Sequence, residues 1–194
     1  YADPDYSGRT ILHPAYTSQA DQNMSDAELA NCVAHYSGLV SLIDTWFGKL
    51  MDTIKELGLM QDTLIIFTSD HGTHFADNPF QVVGKPGYSV WPALLQLPTL
   101  VKWPGAETPP VVDDLTYNLD LTATVYDITG TDPEHAIDGQ SLRPLLANQG
   151  TWRRREYVTC RYSNALCYVD DTHWVCTDVQ GEPRELFALA SDPR

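Results

Sequence analysis

Apolar residues at Leu29, Cys32, Val33, Tyr36, Val40, Ile43, Phe47, Leu50, Ile54 and Leu57 recur every three or four positions, which is the period of one helix face. Ser25-Asp26-Ala27-Glu28 ahead of this stripe has the Ser-x-x-Glu form of a capping box, and Gly58 behind it suits a C-cap. The pattern predicts one helix of about 33 residues, about 50 Å at 1.5 Å per residue, packed along its stripe as support for a sheet. Its histidine, His35, lies beside the stripe and reads as a hydrogen-bonded helix residue.

The period then changes. Leu64-Ile65-Ile66-Phe67 is an unbroken apolar run between Asp62 and Thr68, as in a strand covered on both faces inside an α/β sheet. Ligands of open α/β sheets bind beyond the carboxyl ends of the strands, and Asp70-His71 stand there. A carboxylate and an imidazole are usable metal ligands, although two adjacent residues are only part of a site. Gly72 follows and lets the backbone turn away. The loop Thr73–Phe80 carries His74, four residues beyond Asp70, whose imidazole could donate to a substrate oxygen or protonate a leaving group. Gly84-Lys85-Pro86-Gly87 fixes a turn around a single cation.

Downstream, Thr99–Lys102 reads as a second sheet strand ended by Trp103-Pro104-Gly105. Asn118 or Asp120 can cap a short helix running through Leu121, Val125 and Ile128 to Gly130. Asp113-Asp114, with no apolar run before it, reads as a solvated loop. From Glu156 onward, short β-like runs at 157–160, 166–169 and 174–177, separated by turn residues, predict a small antiparallel meander. Residues 1–24, rich in Pro, Tyr, Asp, Ser and Gln, show no period and read as an irregular arm with a surface histidine at His13. The expected organisation is an α/β part over 1–150 and an antiparallel subdomain over 151–194.

Composition narrows the partners. With 26 acidic against 12 basic residues the formal charge is −14, which disfavours nucleic acid and anionic membrane surfaces by repulsion. The only basic run, Arg153-Arg154-Arg155, reads as a solvated turn. No run of 18 apolar residues offers a membrane span. Cys32, Cys160, Cys167 and Cys176 make no CxxC pair, so a structural zinc site is not expected; one disulfide among the last three, or buried thiols, both fit.

Several motifs in order resemble the sulfatase family of the alkaline phosphatase superfamily. They are Leu57-Gly58-Leu59 followed by Asp62–Gly72, Gly84-Lys85, Leu97–Leu100 with Trp103-Pro104-Gly105, Asp138–Leu142 with Pro144-Leu145-Leu146, and Glu185-Leu186-Phe187 with Asp192-Pro193. The resemblance is to the C-terminal half of a sulfatase and implies an α/β sheet with flanking helices plus a small antiparallel subdomain. It implies that Asp70 and His71 are ligands of a divalent cation, with Ca²⁺ first and Mn²⁺ or Zn²⁺ as alternatives. It further implies that Lys85 holds the oxygens of a sulfate ester, and that the nucleophile is a formylglycine made within C/S-x-P/A-x-R. No Cys or Ser of this sequence stands in that context, and the family's other two metal aspartates have no counterpart. The nucleophile is thus expected in a missing N-terminal half, and the chain alone is expected to be inactive. Two alternatives stay open: a phosphate or phosphonate ester hydrolase of the same superfamily, and a non-catalytic scaffold that binds a partner or metal.

Overall fold

The computed structural model describes residues 1–88, 90–105, 111–147 and 150–191. By its own contacts the chain forms two compact units, Tyr1–Met60 with Ser69–Leu97, and Gln61–Thr68 with Pro98–Arg194.

In the first unit, helix α1 spans Asp26–Glu56. Ser25 is its N-cap, and the capping box closes in both directions, with Glu28 N–H donating to Ser25 Oγ and Ser25 N–H donating to Glu28 Oε2 at 2.8 Å. Arg9 adds a salt bridge to Glu28 at 3.0 Å, consistent with a carboxyl held below its usual range first by the Ser25 amide and also by Arg9. The helix ends where Gly58 takes φ +72°, a conformation that costs other residues a steric clash. The expected stripe is covered unevenly. Cys32 is buried and Tyr36 meets Phe75 edge-on at 5.0 Å, while Val40, Ile43, Leu50 and Leu57 remain exposed, as are Leu39, Leu42 and Trp46. Phe47 and Ile54 on the same stripe are half-buried, so its second half is covered only in part.

The arm before α1 is more ordered than its composition suggests. It has no helix, but Ser18 forms an antiparallel bridge with Val82, Gln19 N–H donates to Gln81 C=O at 2.8 Å and Val83 N–H donates to Thr17 C=O at 2.9 Å. The arm therefore flanks a two-stranded sheet of β2 (His74–Phe75) and β3 (Val83–Gly84), which pairs His74 with Gly84. His13 is exposed, as expected. A four-residue helix, α2 (Pro92–Leu95), starts on Trp91 with Pro92 at its first position, where a missing N–H costs nothing.

In the second unit, β1 (Ile65–Thr68) pairs antiparallel with β4 (Thr99–Lys102), Ile65 opposite Lys102 and Thr68 opposite Thr99. The apolar run was expected to be covered on both faces, yet Ile65, Ile66 and Phe67 are half-buried. Among the described residues this sheet has two strands, so its faces are only partly covered.

Helix α3 (Asn118–Thr129) begins on Tyr117 rather than on Asn118 or Asp120, and ends on Gly130 at φ +64°. Asp120 still serves the cap, because its Oδ2 accepts the Tyr117 N–H at 2.8 Å. It does more than cap. Its side chain is 0% exposed and bound bidentately by Arg155, Nη1 to Oδ2 at 2.8 Å and Nη2 to Oδ1 at 2.6 Å, while Gln140 N–H donates to Oδ1 at 2.7 Å. The Arg155 guanidinium lies over the rings of Tyr117, at 5.0 Å, and Trp152, at 5.5 Å. The reading of 153–155 as a solvated turn is thus wrong for Arg155; for Arg154 a surface role holds, with salt bridges at 2.8 Å to Asp114 and Asp171. The Asp138–Leu142 segment docks on the same helix. A Cβ on Gly139 would sit 2.2 Å from Leu119 C=O, and Leu142 N–H donates to the buried Thr124 Oγ1 at 2.8 Å. Helix α4 (Arg143–Ala147) follows.

The C-terminal meander has four strands: β5 (Tyr157–Tyr162), β6 (Ala165–Asp170), β7 (His173–Asp178) and β8 (Pro183–Ala188), paired in that order and all antiparallel. The fourth, which contains Glu185-Leu186-Phe187, was not foreseen as a strand. Val158, Val169, Trp174 and Phe187 are cross-strand partners and so share one face, the one that buries Val169 and Trp174. Asp192-Pro193, the end of the last motif, lies outside the described residues.

Candidate functional site

Two residues beyond β1 the chain reaches Asp70, His71 and Gly72, all within the first unit together with Lys85 and His74. Gly72 is there for close approach rather than for a turn. Its N–H donates to Leu94 C=O at 2.7 Å, and a Cβ would lie 1.9 Å from Ala93 C=O, so the segment is pressed against the backbone of α2. That contact fixes Gly72, and Gly72 in turn fixes His71.

The His71 ring has a determined tautomer. Nδ1 is 2.7 Å from Gly72 C=O, which only accepts, so Nδ1 carries the proton and Nε2 presents a lone pair. An ammonium only donates, and Lys85 Nζ donates to that lone pair at 2.6 Å. Asp70 Oδ2 lies 3.5 Å from the same Nε2, on a side chain that is 85% exposed. Asp70 Oδ1 accepts the His71 N–H at 3.0 Å, and Ser69 Oγ donates to His71 C=O at 2.7 Å. A carboxylate oxygen and an imidazole lone pair thus converge beside one cation.

Lys85 reaches His71 across the chain because β3 ends at Gly84, whose φ of +83° redirects the backbone. A Cβ on Gly84 would sit 2.3 Å from the Tyr16 ring, so the arm also holds this corner. The loop between the two strands is self-bonded: Asn78 Oδ1 accepts the N–H groups of Phe80 and Val82 at 3.2 and 3.1 Å.

His74 occupies a different setting. It is 1% exposed on β2, meets Trp91 edge-on at 5.1 Å, and has Nδ1 3.5 Å from Asp77 Oδ1. Burial pushes its imidazole below the ordinary 6.5, against an upward pull from Asp77, so the ring is neutral at pH 7. Phe80 stacks on the same Trp91 at 5.6 Å. Sequence reading found His74 but not Asp77, its carboxylate neighbour three residues on, nor Trp91, which only the fold brings close.

A neutral histidine whose other nitrogen is held by a backbone carbonyl is the usual form of a metal ligand, and Asp70 supplies a hard oxygen beside it. Among the described residues no third His, Cys, Asp or Glu joins them. The pair therefore fits part of a ligand set.

The family model described as Sulfatase matches residues 2–131, more than half of the 194. The chain belongs to the sulfatase family. The model for the C-terminal part of N-sulphoglucosamine sulphohydrolase matches residues 90–178 of this sulfatase-family chain. Among relatives, the multifunctional alkaline phosphatase superfamily protein PehA of Trinickia caryophylli is 26% identical over 95% of this chain and 41% of its own length. Steryl-sulfatase of Rattus norvegicus is 28% identical over 90% of this chain and 28% of its own length. Of solved structures, the phosphonate monoester hydrolase of Silicibacter pomeroyi superposes with a TM-score of 0.73 at 25% identity, over 90% of this chain and 40% of that one. A 2-O GAG sulfatase reaches 0.74 at 19% identity, over 87% and 38%, and bears on the fold alone. The fold is thus part of the α/β sulfatase architecture with its antiparallel four-stranded sheet, and the chain spans 28 to 41% of the length of these relatives.

Proposed function

We propose that this sulfatase-family chain supplies half of a sulfuric ester hydrolase site. Asp70 and His71 hold one divalent cation, Ca²⁺ first, and Lys85 binds the non-bridging oxygens of a sulfate ester. The observation that carries the reading is the convergence of Asp70 Oδ2, His71 Nε2 and Lys85 Nζ, with the histidine tautomer fixed by Gly72 C=O. When bound, the cation supplies Lewis-acid polarisation of the ester oxygens. Lys85, whose Nζ is 2.6 Å from His71 Nε2, would place a point charge beside that cation, where transfer builds negative charge. His74, the other catalytic candidate of the sequence, is neutral and 1% exposed, so in this setting it has no acidic proton to give a leaving oxygen at pH 7. A formylglycine nucleophile belongs to a C/S-x-P/A-x-R segment that this sequence does not contain.

A phosphate or phosphonate ester is the second reading. It is favoured by the likeness to phosphonate monoester hydrolases and to a protein described as multifunctional. The two share the Asp70–His71–Lys85 arrangement and differ in the ester. The shared part is tested by Ca²⁺ titration in a calorimeter of protein that contains the C/S-x-P/A-x-R segment, wild type against Asp70→Ala and His71→Ala. Saturable binding lost in both variants is expected; equal heats in all three would remove Asp70 and His71 from the site.

A further inference from the structure

The register of the C-terminal sheet places Cys160 opposite Cys167, Cys167 opposite Cys176, and Cys176 opposite Glu185. Cross-strand partners share a face, so the three thiols and one carboxylate form a single row across four strands. None of the three is in a disulfide. Antiparallel partners have Cα atoms about 4.5–5.5 Å apart, within the roughly 4.4–6.8 Å that a disulfide bridges. Cys160 and Cys167 also belong to one hairpin, closed at Tyr162–Ala165, so no segment has to move far to join them.

The row is not symmetric about Cys167. Cys160 is half-buried on the edge strand β5, whereas Cys167 and Cys176 are buried on the inner strands β6 and β7. Cys167 hydrogen-bonds Cys160, which lowers the Cys160 thiol from 9.0 to about 7 and raises its own. Burial and the neighbouring Glu185 push Cys176 up to about 12. Cys160 is therefore the thiol of the row that is both reachable and ionised near neutrality.

We propose that Cys160 and Cys167 are a thiol–disulfide exchange site for low-molecular-weight disulfides, with Cys160 attacking and Cys167 resolving. The Cys160 thiolate attacks one sulfur of the small disulfide, forming a mixed disulfide and expelling a small thiolate, which takes up the Cys167 proton. The Cys167 thiolate then attacks Cys160 Sγ, closes the cross-strand disulfide and expels the second small thiolate. Two protein thiols are oxidised and one small disulfide is reduced to two thiols. The product staples β5 to β6.

The test is incubation of the folded chain with oxidised glutathione, followed by intact mass and mapping of non-reduced peptides. A loss of two hydrogens and a Cys160–Cys167 linked peptide are expected, with thiol titre falling by two from four. Cys167→Ser should stop at a glutathione adduct on Cys160, Cys160→Ser should leave the sheet thiols unreacted, and Cys176→Ser should behave as wild type. Wild type that keeps all its thiols, or that links Cys167 to Cys176, or Cys160→Ser that oxidises at the wild-type rate, would overturn the proposal. The wild-type map decides even if a serine variant fails to fold.

Discussion

Asp120→Ala removes a carboxylate that accepts four hydrogen bonds, two from Arg155 and one each from the N–H groups of Tyr117 and Gln140. The carboxylate is 0% exposed and the Arg155 side chain 12% exposed, so water replaces little of what is lost. Breaking a buried ion pair from one side typically costs about 3–5 kcal/mol, because the surviving charge is left uncompensated. The two stranded amides lie at the start of α3 and in the Asp138–Leu142 segment docked on it, so both should loosen together. At about 2–4 °C per kcal/mol for a chain of this size, the melting temperature should fall by roughly 6–20 °C. Urea unfolding followed by tryptophan fluorescence reads the change, since Trp152 lies against Arg155. Arg155→Met should cost a similar amount. The double variant should lose less than the sum of the singles by more than about 1 kcal/mol, as removing both charges leaves neither unpaired. Asp120→Ala within about 1 kcal/mol of wild type, or strict additivity, would refute the reasoning.

Gly72→Ala places a methyl 1.9 Å from Ala93 C=O, so a loss of about 1–3 kcal/mol or more is expected, with Ca²⁺ binding weakened as His71 shifts. Gly48→Ala on the same scale is the contrast: its Cβ meets nothing within 4 Å on α1, and the helix should gain about 0.5–1 kcal/mol in thermal melts. Asp170 is held at about 2, below the ordinary 3.8, by the Thr172 hydroxyl and the amides of Thr172 and His173. Its contribution is therefore complete above the ordinary value and is lost as pH falls from 3.8 through about 2. Melts of Asp170→Asn should show a shallower acid slope than wild type in that window, and an identical slope would count against it.

What the sequence disclosed is what local chemistry decides. The capping box at Ser25 and Glu28, Gly58 and Gly130 as helix stops, and the first three meander strands are short-range patterns, and each is where it was expected. Asp70 and His71 are neighbours in sequence, so their convergence was legible; that Lys85 lands on His71 Nε2 depends on the pairing of β2 with β3, fixed by the arm and Tyr16. Gly72 was noticed for the wrong reason, since a close approach to Ala93 leaves no trace in its neighbours. The Asp120–Arg155 pair spans 35 positions, and no periodicity links its ends. The cysteine row likewise exists only once the strand register is set. For α1 the stripe told which face is apolar but not how much of it this chain covers.

The central claim is that Lys85, beside Asp70 and His71, stabilises the transition state of sulfate ester transfer. Its most direct test is kcat/KM for an aryl sulfate in protein that contains the C/S-x-P/A-x-R segment, wild type against Lys85→Ala, with melting temperature measured in parallel. Loss of one preorganised donor predicts a fall of about 10²–10³ at an almost unchanged melting temperature, and partial rescue by Lys85→Arg. A Lys85→Ala protein with full activity, or one inactive only because it has unfolded, would contradict the account.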